Sequence, residues 1–457
     1  MLNRVAVSVM RAWFPAQYRS SRKGRVVSWA AVLLMVTLLV SGCVPTGLLA
    51  PQERQIVVLW HSFSGAEAAA LASLTDRFNL ENEWQIVLIT EYQEKLLDKL
   101  QAAPDRRPDL VTVWPKELQT YVALDMVGAV PLDASEVRMV WDDVLPMARA
   151  LYELDGTVHA LPLGLATYLA YFNQEWLADL GYAPEVVDWE DFLRTTCAAT
   201  DPRRGQVGVG APAKASVLLA FLTAGGSEVI GPDGYYRFSD PAGRAAATAL
   251  QSVMAGGCGV VYEDWDAGVS RLSRSSMAMI LESSQHLSEI ERAVLAGRNF
   301  SLGISPMPGA EGPGPTLWYG PGLLVSAPVG TRQDAALQVL SWFLSSEVQV
   351  YWGVGTSYVP ARRSAIEAQL RDEDTTVMVT AMTGLWQLTL AAADSGAWLA
   401  WPQPSDRITC RAALLRSLLA LQQKDTDTNA YLATAVTECN TGVGLRLTPQ
   451  PVEAVTP

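Results

Sequence analysis

The chain has only three histidines in 457 residues, His61, His159 and His286, and none sits in a His-Glu-x-x-His pattern. A zinc hydrolase site of that kind is therefore excluded, and no metal or cofactor is expected. Its five cysteines are too widely spaced for a zinc ribbon or a redox pair. There is no Gly-x-x-x-x-Gly-Lys-Ser/Thr loop, so the chain supplies no nucleotide-triphosphate chemistry of that type, and no Gly-x-Ser-x-Gly elbow to expose a nucleophilic serine. Positive charge is scarce, with 34 Lys and Arg against 47 Asp and Glu and a net charge of −13. Such a surface repels nucleic acid and anionic lipid headgroups, so no nucleic-acid partner is expected. Internal repeats and low-complexity blocks are also lacking. The apolar run Trp29–Val40 is twelve residues, short of the roughly 20 that span a bilayer comfortably.

That run marks what is present at the N-terminus. Arg4, Arg11, Arg19, Arg22, Lys23 and Arg25 precede it, and no acid occurs before residue 43. Basic residues, a short apolar core and small residues at the break describe an export signal. Leu39-Val40-Ser41-Gly42-Cys43 resembles a bacterial lipobox. The resemblance implies cleavage of a signal peptide, residues 1–42, and lipid on Cys43; the alternative is an uncleaved anchor with an incidental cysteine. Either places residues 44–457 outside the cytoplasm, tethered to a membrane, at the periplasm or cell surface. Residues 43–54, with Pro45, Gly47 and Pro51, read as a tether, and 447–457, with three prolines, as a disordered tail.

Cys197, Cys258, Cys410 and Cys439 remain, an even number in an exported chain. Three pairings exist. Cys197–Cys258 with Cys410–Cys439 is the expected one, because each bridge then closes within one compact segment. Loop closure predicts roughly 3–4 kcal/mol from each.

Between tether and tail, strand and helix patterns alternate. Ile56–Trp60, Gln85–Ile89 and Asp109–Trp114 are buried-strand runs, separated by helical spacing over Ala66–Asn79 and Glu94–Ala103. This order predicts a parallel sheet covered by helices, with ligands at the carboxyl ends of strands. A second region opens with the strand Tyr168–Phe172. It continues through helices near Trp189–Cys197, Ser216–Ala224 and Pro241–Met254 to the strand Met277–Leu281. Ser301–Ile304 and Leu323–Ser326 read as strands, Asp334–Ser345 as a helix, and 361–438 as mainly helical. The length exceeds one ordinary core, so two lobes are expected.

Several stretches, in order, resemble the extracellular solute-binding proteins of ABC importers, in the group that takes maltose, other sugars and glycerol phosphates. They are Val58–Gly65 with Phe78-Asn79 and Glu81-Asn82; Pro108–Val111; and Asp155-Gly156 with Ala160–Pro162 and Tyr171–Asn173. Trp189–Leu193, Met277–Ser284 and Gly355–Arg362 complete the set. The resemblance covers about 55–445 and implies an α/β, periplasmic-binding-protein-like fold of two lobes. Each lobe would be a mainly parallel sheet flanked by helices, joined by crossing hinge segments. The lobes would be 55–166 plus 302–356 and 167–301 plus 357–446. The family would make this a monomeric binder of a small polar solute that closes on a hinge and docks on permease subunits.

Candidate contacts follow from strand ends and from the resemblance. Trp60, Trp114, Trp318, Tyr319 and Tyr358 offer aromatic faces suited to the C–H face of a sugar, though a Trp at a strand end serves a core equally well. Tyr358 carries the sharper expectation, that its removal weakens solute binding and leaves the stability of the free protein nearly unchanged. Ser62 and Ser64 precede a helix as caps or as ligand donors, and His61 reads as structural or contacting. Ser283, Ser284 and Gln285 lie where the family places polar contacts; Tyr92 and Arg362 are further candidates. Pro115 stands where glycerol-phosphate binders carry an acid, and Arg407 is only a loose match to their phosphate arginine, which leaves a neutral sugar ahead. The readings from other classes are an exported carbohydrate-active enzyme and a sensor or adhesion lipoprotein. The adjacent acids Asp142-Asp143 and Glu190-Asp191 are the carboxylate pairs an enzyme would need.

Overall fold

The computed structural model describes residues 55–102, 107–132, 135–182, 188–231, 233–327, 330–371, 380–401 and 408–446. These all belong to the compact unit Gln55–Pro457. The expected signal peptide, Cys43, the tether, Arg407 and the tail lie outside the described residues.

The strands are β1 (Ile56–His61), β2 (Gln85–Thr90), β3 (Leu110–Val113), β4 (Glu153–Leu154), β5 (Thr157–Val158), β6 (Ala160–Pro162) and β7 (Tyr168–Asn173). They continue with β8 (Val207–Pro212), β9 (Gly259–Tyr262), β10 (Met277–Ser283), β11 (Leu302–Pro306), β12 (Thr316–Trp318), β13 (Gly322–Val325) and β14 (Trp398–Ala400). They form two five-stranded sheets, ordered β2-β1-β3-β13-β6 and β11-β7-β10-β8-β9. In the first, β2, β1 and β3 pair in parallel, and β13 runs against both β3 and β6. In the second, β10, β8 and β9 pair in parallel, and β7 runs against both β10 and β11. Each sheet thus has one reversed strand, and the other four point the same way.

Local sequence explains the elements. Leu71, Leu74 and Phe78 are buried on one face of the helix Gly65–Glu81, as their spacing requires. Asp188 and Asp240 cap the helices Trp189–Ala198 and Pro241–Met254, accepting from the Asp191 and Gly243 amides. Pro241 at the first helical position loses nothing, since its missing N–H would have no partner there. Ser64 takes the cap position of its helix but makes no side-chain cap bond. Asp109, buried, accepts from the Val58 amide at 2.8 Å and from Arg332 Nε at 2.7 Å. It therefore joins β1, the start of β3 and the helix Thr331–Phe343.

Leu302 was expected to begin the return to the first lobe. Instead β11 pairs with β7 in the second sheet. Alternating Leu302, Ile304 and Pro306 pair as well there as at the other sheet's edge, so strand pattern alone cannot choose. The chain re-enters the first sheet at β13. Three crossing segments run side by side near 163–166, 319–321 and 358–359. Leu165 and Val359 exchange amide bonds of 2.8 and 2.7 Å, Ala166 and Tyr319 exchange bonds of 2.6 and 2.9 Å, and Leu163 donates to Pro321 at 2.8 Å. Contact here is close enough that a Cβ on Gly320 would lie 2.0 Å from the Gly164 carbonyl oxygen, so only glycine fits.

Both expected disulfides form. Cys197–Cys258 ties the helix Trp189–Ala198 to the residue before β9, and Cys410–Cys439 ties the helices Ile408–Ala420 and Thr428–Arg446. Among the described residues, no helix is long and apolar enough to cross a membrane. Among the same residues no group of three or more His, Cys, Asp or Glu is placed to hold a metal ion.

Candidate functional site

The residue after β3 and the end of β10 meet the crossing segments at one seam, and the helix after β1 reaches the same segments through Glu67 and Tyr358. Tyr319, half-buried in a crossing segment, is its centre. Trp114, which follows β3, approaches it at 6.5 Å between ring centroids; Tyr168 of β7 lies at 5.8 Å and Trp401 at 5.7 Å. The Tyr319 hydroxyl bonds to Ser283 Oγ at the end of β10. Trp114 and Trp60 are themselves half-buried, and the buried Trp60 Nε1 has no hydrogen-bond partner. Lys116 Nζ lies 5.8 Å over the Trp114 ring.

The polar residues after β10 divide their tasks. Ser283 Oγ also accepts from the Gln285 amide at 3.0 Å. Ser284 is fully buried and locked to the crossing segment: its Oγ accepts from the Thr167 amide at 3.0 Å and its amide donates to the Thr167 carbonyl at 2.7 Å. Gln285 Nε2 reaches Glu67 Oε1 at 3.0 Å, and the Tyr358 hydroxyl donates to the same oxygen at 2.7 Å. Burial pushes the Glu67 carboxyl above its ordinary range. On the first-sheet side His61 is buried with Nε2 3.2 Å from Thr90 Oγ1, and its Nδ1 has no partner. Burial lowers its pKa, which keeps the ring neutral. Ser62 is half-buried, and its amide donates to Thr112 Oγ1 at 3.3 Å.

The second sheet adds residues the sequence reading did not single out. Glu282, fully buried in β10, takes two contacts of 3.1 and 3.2 Å from Lys214 Nζ, which follows β8. Lys214 also lies 5.2 Å over the Trp265 ring, and Trp265 packs at 4.5 Å on His286. The Tyr262 hydroxyl at the end of β9 is buried without a partner. The readable signal was position, since Lys214 and Trp265 each follow a strand by a few residues; the pairing of Lys214 with an acid 68 positions away was not readable. Replacing Lys214 by Met is expected to leave Glu282 as a buried unpaired charge. The loss should be about 2–3 kcal/mol, below the ~3–5 of a fully enclosed pair because water still reaches Lys214. Lys214→Met with Glu282→Leu should recover most of it. Urea unfolding of the three proteins checks this, and a double variant no better than Lys214→Met would refute it.

Tyr92, just after β2, is 73% exposed with Lys95 Nζ 5.6 Å over its ring. Three expected contacts are placed otherwise. Trp318 is fully buried and donates to Thr316 Oγ1 at 2.7 Å, which makes it core. Arg362 is committed to Asp143 Oδ2 at 2.7 Å and to the Leu344 carbonyl at 2.8 Å. Its charge is answered within the protein, so it is not free for an anionic solute. Tyr358 is fully buried and stacks on Trp352, with ring planes within 5°. It has no free face for a solute.

Two mixed sheets under helices, three crossing segments and an aromatic, hydroxyl-rich seam between strand ends define a two-lobe binding protein of the periplasmic type. Solved structures share the fold. The sugar-binding protein MalE from the phytopathogen Xanthomonas citri superposes with a TM-score of 0.73 at 17% identity, over 86% of this chain and 98% of its own. The cyclic alpha-maltosyl-1,6-maltose binding protein from Arthrobacter globiformis gives 0.69 at 18% identity, over 85% and 98%. The Thermus thermophilus maltotriose binding protein, bound with maltotriose, gives 0.65 at 16%, over 85% and 100%. A search among curated proteins finds no match. The model of the bacterial extracellular solute-binding protein family matches residues 73–379. The chain belongs to that family.

Proposed function

We propose that this protein is the membrane-anchored, extracytoplasmic solute-binding component of an ABC importer. It captures a neutral sugar or related polyol at the interlobe seam and delivers it, chemically unchanged, to permease subunits. The observation that carries this reading is the Tyr319 cluster, where Trp114 from one sheet side and Tyr168 and Ser283 from the other converge on a residue of the hinge. Aromatic faces beside hydroxyl and amide groups suit a ligand with alternating C–H and O–H faces. The internal pairing of Arg362 with Asp143, and of Lys214 with Glu282, favours an uncharged solute over a phosphorylated one. Lipid on Cys43 supplies the tether in this reading. The domain division carried forward is two lobes meeting at the crossing segments.

Calorimetry of the full-length protein with maltose, maltotriose, ribitol and glycerol 3-phosphate tests the assignment. Saturable binding of a neutral member is expected, with recovery of the solute intact. At 100 times its dissociation constant it should stabilise the fold by about 2.7 kcal/mol. Trp114→Ala should weaken that binding by about tenfold or more, the order of a lost aromatic anchor. Hydrolysis of the saccharides would support the enzyme reading instead, and the absence of any thermal shift across the panel would remove the main support for the importer.

A further inference from the structure

We infer that Glu67 is a positioning residue, a clasp that holds the two sheets in their closed arrangement and thereby sets how tightly the solute is held. The inference rests on the reading of the seam as a solute site. Glu67 lies in the first turn of the helix that follows β1, so it belongs to the first sheet's side. Its Oε1 accepts from two other parts of the molecule. Gln285, in the short turn Ser284–His286 after β10, donates from the second sheet at 3.0 Å. Tyr358, in a crossing segment, donates at 2.7 Å. These bonds span 218 and 291 positions, so neither is a by-product of local chain geometry.

A carboxylate that served its own helix would be expected to answer the helix's free amides. Glu67 instead reaches across the seam. It stays there against a desolvation cost: burial holds its carboxyl above the ordinary range, and the two donors act against that shift. His286 and Glu289 are the charged groups that face it from the second sheet's side, and their effects on it are opposite in sign. Neither substitutes for the direct donors.

The Gln285 bond forms only when the helix after β1 and the turn after β10 are within reach, so it favours the closed arrangement and contributes nothing to an open one. A differential contact of that kind is what shifts a conformational population. A solute that binds the closed arrangement then gains apparent affinity in proportion to the closed fraction. Because Tyr358 is fully buried, the solute has no need to displace the clasp in order to bind.

The experiment uses the full-length protein with fluorophores on unnatural amino acids at positions 80 and 295, both exposed and on opposite sheets' helices. Energy transfer is read in buffer, and affinity is read by calorimetry with whichever of maltose, maltotriose or ribitol binds. Glu67→Ala and Gln285→Ala are expected to lower the transfer efficiency of the free protein and to weaken binding by about tenfold, the order of one hydrogen bond made in the closed arrangement alone. Glu67→Gln, which keeps an acceptor, should fall between wild type and Glu67→Ala. The double variant Glu67→Ala/Gln285→Ala should be no worse than Glu67→Ala alone. Tyr358→Phe, which keeps the ring, guards against a packing artefact and should move in the same direction. Unchanged transfer in folded Glu67→Ala and Gln285→Ala proteins overturns the clasp, even if a sugar binds. A shift in transfer with no binding from the panel supports the clasp and refutes the assigned solute class.

Discussion

Tyr358→Ala is expected to cost about 4 kcal/mol of unfolding free energy, within the ~3–5 typical of removing a buried aromatic side chain. The residue has no exposed surface, and its ring stacks on Trp352 at 6.1 Å between centroids. Deletion to Cβ leaves a cavity beside the crossing segments, where Gly164 already approaches the Tyr358 Cβ closely. It also takes a donor from the half-buried Glu67 carboxyl. Tyr358→Phe should cost only about 1–2 kcal/mol, because the packing stays and one hydrogen bond to a carboxylate is lost. Urea unfolding of the free protein reads both. A Tyr358→Ala protein as stable as wild type but weaker toward solute would restore the role the sequence suggested, a ligand contact with no part in the core.

Removing the Cys197–Cys258 bridge by a double serine substitution is expected to cost about 4 kcal/mol, and removing Cys410–Cys439 about 3.5 kcal/mol. The difference comes from the loops closed in the unfolded chain, whose ends are 61 and 29 positions apart. It is small because closure entropy grows only with the logarithm of loop length. Unfolding midpoints of the two double variants check the order. Equal and negligible losses would mean that the reduced chain keeps structure holding those ends together. In the wild type, thiol labelling under denaturing, non-reducing conditions should find no reactive group at these four positions.

Much of the fold was legible because it rests on neighbours in the chain. The runs at Ile56, Gln85 and Leu110 pair as read, and the spacing of Leu71, Leu74 and Phe78 placed a helix face on the core. Both disulfides were reachable from compactness alone. The middle crossing was misplaced because β11 carries a strand pattern that fits either sheet, and its partner β7 lies far back in the chain.

The candidate site was read as a set of strand ends. That rule singled out Trp60, Trp114, Ser283, Gln285 and Tyr319, and it also swept in Trp318, which is fully buried. Glu67 was passed over because an acid in a first helical turn already has a sufficient reason to be there. Arg362 looked free because Asp143, its partner, lies 219 positions earlier.

Composition, periodicity and short-range spacing were enough to establish an acidic α/β chain with two bridged segments, and the solute-binding reading came from the resemblance of several short stretches to one family. Which aromatic rings face the seam, which charges are already answered, and which carboxylate spans the two sheets all depend on pairings between distant parts of the chain, from 68 positions for Lys214 with Glu282 to 291 for Glu67 with Tyr358. Such pairings exist once three crossing segments lie side by side, and no local pattern encodes them.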